Sequence, residues 1–313
     1  MLALRIVVSA AMLAFLSTRV HLSSLLPDNQ TSTIPWLVTA MAVWFVAVVA
    51  SVVRWQQVLA ALDLRTPLPP LLSHTLAGMF VANFLPSTVG GDVLRVMRLS
   101  SGTGEAPRSF ASVVIDRLTG VLVLPLITLV ALATHPALLH LGTASRLAVV
   151  LSLGSLAALA AVLAVAASPG AGGRLAGHES WLRFLGAVHI GVDRMRRRPA
   201  AVAAALGTAL AYQLTVVVAA FAASRALGIT VGWAPMLAFV PVVAIAQVLP
   251  ISVGGLGLRE AALVLLLHPL GVPTAKATAL GLLLYAINLV VSLLGAPSFA
   301  VRSGNNRAAV SSR

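Results

Sequence analysis

The chain has 313 residues, of which 59% are hydrophobic and 9% charged, with a formal net charge of +13 and a mean hydropathy of +1.00. Soluble domains carry about 25% charged residues, so an ordinary globular fold is excluded and a polytopic all-α membrane protein is expected. The positive excess does not point to nucleic acid: the arginines lie in loops flanking apolar spans, as the positive-inside rule requires, and anionic lipid headgroups are the matching partner.

The first predicted span covers residues 2–22. Its basic start and apolar run are like those of a signal peptide, but Arg19 interrupts the end and no small-residue cleavage site accompanies it, so a retained span is expected. Residues 23–35 are polar without Lys or Arg, which marks the outer side. A second span, 36–57, returns to the side carrying Arg54 and Arg65, with Trp36 and Trp55 at the depths of aromatic belts. The apolar stretch 71–99 is interrupted, and each arm falls short of the ~20 residues that cross a bilayer. It is predicted to be a re-entrant hairpin, which keeps Arg95, Arg98, Arg108 and Arg117 on one side.

Spans over 112–134 and 145–167 follow, joined by residues 135–144 without Lys or Arg. The longest polar stretch, 168–199, contains Arg174, Arg183, Arg194, Arg196, Arg197 and Arg198. Within it Trp181, Phe184, Leu185, Val188, Val192 and Met195 recur at helical spacing, predicting an amphipathic helix that lies in the interface or packs within a topogenic loop. A fifth span, 200–223, a second interrupted stretch, 235–270, and a sixth span, 274–301, lead to the basic tail 303–313.

The two interrupted stretches are copies of one another. Residues 82–95 read ANFLPSTVGGDVLR and residues 246–259 read AQVLPISVGGLGLR, sharing Ala, Leu, Pro, Val, Gly, Gly, Leu and Arg in register. Each is an apolar half-helix broken at Pro86 or Pro250, a turn ending in Gly90-Gly91 or Gly254-Gly255, and a second half-helix carrying Arg95 or Arg259. Three predicted crossings separate the copies, and an odd number forces opposite orientation. The chain then divides into two lobes, 1–142 and 143–302, each with two spans, a hairpin and one span. Inverted repeats with broken helices are a transporter architecture.

Consecutive glycines before a helix expose backbone N–H groups, and the helix N-terminus adds partial positive charge, which together suit an anion. An arginine one turn on can add two-point phosphate contacts. The plain alternative is that the glycines allow close helix packing and the arginines snorkel. Asn83 and Gln247 occupy matching positions before the breaks, Arg98 lies one turn beyond Arg95, and Asp92 and Glu260 accompany the two arginines. These carboxylates could balance the arginines, meet a cationic headgroup or take up a proton. Asp116-Arg117 opens the third span on the side of the first copy, where an interfacial charge pair outside the pocket is the simpler reading. No cofactor is expected. Lys276 is the only lysine and follows Ala275, which excludes a Walker A sequence, and no GxSxG occurs. His21, His74, His135, His140, His178, His189 and His268 form no i, i+4 pair that would suggest a metal.

FLPSTVGGDVLRVMRL with the following VVIDRL, and LPISVGGLGLREAAL, resemble the lysylphosphatidylglycerol synthase transmembrane family, a flippase-like membrane domain. The resemblance covers nearly the whole chain. It implies a two-lobed helical domain with re-entrant helices that moves lipids, aminoacylated phosphatidylglycerol among them, between leaflets. It also implies roles for Asp92, Arg95, Asp116, Arg117, Arg259 and Glu260. The sequence ends at Arg313, short of the soluble aminoacyl-transfer domain of bifunctional members, so lipid aminoacylation is not expected. ISVGG stands where the family commonly has a more glycine-rich turn.

The leading expectation is a lipid translocase in the plasma (inner) membrane with both termini cytoplasmic, moving a phospholipid, an aminoacylated phospholipid or a polyprenyl-phosphate-linked glycolipid. Alternatives are a membrane-embedded transferase using Asp92 or Asp116 as base, and an accessory subunit that holds a lipid for an enzyme. A lipid-modifying enzyme and a second copy of the chain are the protein partners these readings admit.

Overall fold

The computed structural model describes residues 30–84, 90–167, 179–248, 255 and 257–298. Among them there is no strand, and ten α-helices follow in order: α1 (Gln30–Ala61), α2 (Leu68–Phe84), α3 (Gly90–Thr103), α4 (Ala106–Thr134), α5 (Thr143–Ala167), α6 (Glu179–Arg196), α7 (Pro199–Ala226), α8 (Trp233–Val248), α9 (Leu258–Leu267) and α10 (Thr274–Leu293). Five of the described helices, α1, α4, α5, α7 and α10, are long and apolar enough to cross a membrane. The chain is a multi-pass membrane protein. The expected span 2–22 and tail 303–313 lie outside the described residues.

The elements of the two repeat copies are shorter. Helices α2, α3, α8 and α9 have 17, 14, 16 and 10 residues. At ~1.5 Å per residue the longest reaches about 26 Å, short of a hydrocarbon core of about 30 Å. Some boundaries differ from the expected ones. α1 begins at Gln30, so residues 30–35 are its first turns rather than loop, with Pro35 inside the helix. α4 begins at Ala106 with a proline in its first turn, a position where the missing N–H has no partner to lose.

α1 and α7 form the most extensive helix pair. Their buried faces are rich in alanine, with Ala40 and Ala47 on α1 and Ala205, Ala209, Ala219, Ala220 and Ala223 on α7. Small side chains let backbones approach where lipid supplies no hydrophobic drive. α4 is the most buried span and packs on α8, where the Thr128 hydroxyl donates to the Ala238 carbonyl at 3.0 Å.

α2 and α3 lie against each other at glycines. A Cβ on Gly78 would sit 2.8 Å from the Gly91 carbonyl oxygen, and one on Gly91 would collide with the Gly78 carbonyl. The second glycine of the first motif is therefore a packing residue, and both glycines lie in the first turn of α3 rather than in the turn expected before it.

Helix α6 is the amphipathic helix expected over 181–195. Its apolar side chains pack on the bundle: Leu185, Ala187 and Val188 join Val58, Leu62, Ile115 and Ala205 in one buried cluster. At its end, Arg194 donates to Asp63 at 2.6 Å and Arg198 pairs with the other oxygen of the same carboxylate. Asp63 has φ +63, a left-handed conformation that aspartate tolerates better than most residues, and it ties the end of α1 to α6.

Candidate functional site

The first copy takes part in a cluster of ionic groups from three helices, α1, α3 and α4. Gly90-Gly91 opens α3, which places Asp92 in the first turn, favourable at the positive end of the helix dipole. Arg95 follows one turn later and is 7% exposed. α4 crosses beside α3 and brings Asp116, 1% exposed, into contact: Arg95 Nη2 donates to Asp116 Oδ2 at 3.1 Å. From α1, Arg54 Nε donates to the other Asp116 oxygen at 2.7 Å. Asp92 receives Arg117 in a two-point pair, Nε to Oδ2 at 2.8 Å and Nη2 to Oδ1 at 2.9 Å, and Arg95 Nη1 at 3.3 Å.

Aromatic rings support the cations. The Arg95 guanidinium lies 4.0 Å from the centre of the Trp55 ring, and the Arg54 guanidinium 5.0 Å from that of Tyr212 on α7. Such stacking favours a weakly hydrated guanidinium. Trp55 is fully buried and donates to Ser112 Oγ at 3.1 Å. It is therefore part of this site and not of an interfacial belt.

Arg54, Asp92, Arg95, Asp116, Arg117 and Tyr212 line a cavity of about 190 Å³ that also touches Thr75, Val216 and Asn288, so α7 and α10 wall it together with α1–α4. Three arginines against two aspartates leave one positive charge in excess. Arg95 Nε is buried without a hydrogen-bond partner among the described residues. The cavity has the electrostatics of an anion site. A larger cavity, about 420 Å³, lies between the loops 228–235 and 270–276. Its only charged lining residue is Lys276, which donates to the Gly228 carbonyl at 3.3 Å, so chemistry does not converge there.

The second copy is built differently. Arg259 Nε donates to Gln247 Oε1 at 3.1 Å, its Nη1 lies 3.4 Å from the Gly281 carbonyl oxygen, and its guanidinium stands 5.5 Å from the centre of the Tyr285 ring. Among the described residues no carboxylate comes within ion-pair distance of it. Glu260 is fully buried and caps α9, accepting the Gly257 N–H at 2.7 Å through Oε2, while its Oε1 has no partner among the described residues. A side chain at Gly281 would press on Glu260, and Gly255, at φ +76, leaves room for Gln247. A glycine is needed at both positions.

Of the residues singled out in the sequence, Gly91, Asp92, Arg95, Asp116 and Arg117 line one cavity. Gly90 opens the same helix. Gln247, Gly255, Arg259 and Glu260 form a second cluster. Asn83 lines neither: it donates to Ser292 Oγ at 2.8 Å and accepts from Asn288 at 3.2 Å. Arg98 donates to Ser298 Oγ at 3.0 Å. Pro86, Pro250 and Gly254 lie outside the described residues. Asp116 is not a peripheral charge pair but the centre of the first cluster. Arg54, Trp55, Tyr212, Tyr285 and Asn288 were not singled out as site residues. Arg54 reads as one more positive-inside charge. Asn288, an amide within the apolar span 274–301, was the legible signal.

The family model described as "Lysylphosphatidylglycerol synthase TM region" matches residues 2–295. Comparison with curated proteins gives no match.

Proposed function

The chain belongs to the lysylphosphatidylglycerol synthase TM-region family, and on that footing we propose that it is a lipid translocase carrying a phosphate-bearing lipid between leaflets. The observation that carries this reading is the position of the arginine cavity: its walls come from both halves of the chain, Arg54, Arg95 and Arg117 on one side and Tyr212 and Asn288 on the other. A site at a seam between two packed halves can change its access when they rock.

Two further features support it. Along α10 one face carries Gly281, Tyr285, Asn288 and Ser292 at helical spacing; the first two touch Arg259, Asn288 touches the cavity and Ser292 meets Asn83. A polar lane thus runs from one arginine site to the other, over about 10 Å of helix from Gly281 to Asn288. Contacts between the halves are also reciprocal, α4 on α8 and α10 on α2, which suits an inverted repeat in which the short helices α2–α3 and α8–α9 are oppositely directed re-entrant hairpins. The transferase reading has less support: both oxygens of Asp116 and both of Asp92 are held by arginines, which leaves neither ready to act as a base. The substrate would be a phospholipid, aminoacylated or not, or a polyprenyl-phosphate-linked glycolipid.

The test uses purified full-length protein in liposomes with a nitrobenzoxadiazole-labelled phospholipid and dithionite outside. The expected result is rapid bleaching of the inner-leaflet probe, with phosphate-free labelled glucosylceramide left behind. Bleaching no faster than in empty liposomes overturns the reading.

The same reading places the protein in the plasma membrane with both termini and residues 168–199 on the cytoplasmic side, from the arginine distribution. Gly186 on α6 is exposed with open space where a Cβ would go, and the chain has no cysteine. A Gly186→Cys protein in intact cells should react with a membrane-impermeant maleimide only after permeabilisation; reaction without it inverts the topology.

A further inference from the structure

Resting on the reading of this cavity as a phosphate site, we infer that Asp92 is the site's internal occupant, a carboxylate that fills the Arg117 fork and gives way to the phosphate group of an incoming lipid. The two aspartates of the cluster have different standing. Asp116 is 1% exposed and holds Arg54 with one oxygen and Arg95 with the other, so displacing it would strand two buried cations. Asp92 and Arg117 have side chains 18% and 61% exposed, and their pair faces the cavity.

The pair itself has the geometry of an occupied anion subsite. Arg117 presents Nε and Nη2 to the two carboxylate oxygens at 2.8 and 2.9 Å, and a phosphate group offers the same two-oxygen edge to a guanidinium. With Arg117 exposed and Asp92 half-buried, this pair is less costly to open than the two fully buried pairs of Asp116, so the exchange is feasible. The released carboxylate also has somewhere to go: Arg95 Nη1 already lies 3.3 Å from Asp92 Oδ1. Exchange therefore swaps partners without leaving a buried charge alone. Its consequence is selectivity, because a small monovalent anion gains little over the resident carboxylate, whereas a lipid phosphate brings its acyl anchor to the same fork.

The test measures equilibrium binding of dodecyl phosphate, and of inorganic phosphate, to the full-length protein in detergent. Asp92→Asn should bind dodecyl phosphate about fivefold or more tightly than the unmodified protein. Arg117→Ala should bind it weakly, and Asp92→Asn combined with Arg117→Ala no better than Arg117→Ala alone. Unchanged or weaker binding by Asp92→Asn overturns the proposal, as does a gain that survives in the double variant. A measurement on the unmodified protein stands beside these should a variant fail to fold. With ¹³C-labelled aspartate, dodecyl phosphate should shift a carboxylate stretch in the infrared difference spectrum, and a spectrum without such a shift overturns the exchange. Equal affinity for inorganic phosphate upholds the exchange but assigns the site to a free anion, against the lipid reading. Lipid movement without any gain in Asp92→Asn sinks the exchange alone.

Discussion

Asp116→Asn is expected to destabilise the protein by about 3–5 kcal/mol, the effect of removing one partner from a buried ion pair. The carboxylate is 1% exposed and is the link between Arg54, at 2.7 Å, and Arg95, at 3.1 Å. An asparagine keeps the volume but leaves both guanidiniums facing a neutral group. Arg95 can lean on Asp92, whereas among the described residues Arg54 keeps the Tyr212 ring and no second carboxylate within ion-pair distance. The loss should therefore be partly recovered by adding Arg54→Leu, which removes the stranded cation. Unfolding of the solubilised proteins, followed by tryptophan fluorescence, checks both statements. A loss under about 1 kcal/mol, or a double variant no more stable than Asp116→Asn, means that the cluster is hydrated and Asp116 is not its keystone.

The same cluster shows what could be read from residues alone. The repeat was legible because Gly-Gly and the following arginine recur in register, and the long apolar spans because their composition leaves no other place for them. Asp116 was not, since an Asp-Arg pair at the start of a span has the same local pattern whether it faces headgroups or a cavity. Only the packing of α4 against α3 and α1 decides between them. Trp55 was misplaced and Arg54 left out of the site for a related reason: an arginine and a tryptophan near the end of a span fit the interface rule, and their burial comes from later helices, α2, α3 and α4 around Trp55 and α4 and α7 around Arg54. The difference between the two copies was equally hidden. Their motifs match in sequence, yet the first arginine meets an aspartate of α4 while the second meets the backbone carbonyl of Gly281 on α10. Motif identity does not extend to the helix that answers it.

That difference sets the second large effect. Arg259→Ala should slow the movement of phosphate-bearing lipid in liposomes by roughly 10- to 100-fold, the range of one lost charge-assisted hydrogen bond of about 1.5–3 kcal/mol. Folding stability should hardly fall. Arg259 is 9% exposed, and its partners are the neutral Gln247, the Gly281 carbonyl and the Tyr285 ring. A buried cation held by neutral acceptors, with the Glu260 carboxylate beyond ion-pair distance among the described residues, contributes little to folding, because its desolvation offsets what those acceptors return. What it offers is affinity for an anion that arrives. Arg259→Lys should recover only part of the rate, since an ammonium keeps the charge but loses the planar two-point geometry and the stacking on Tyr285. Rates of inner-leaflet bleaching at matched reconstitution, set beside the unfolding midpoint of each variant, separate the possibilities. If Arg259→Ala moves lipid at the unmodified rate but unfolds markedly earlier, Arg259 is a structural tie between α8, α9 and α10, and the lane along α10 does not end at a phosphate site.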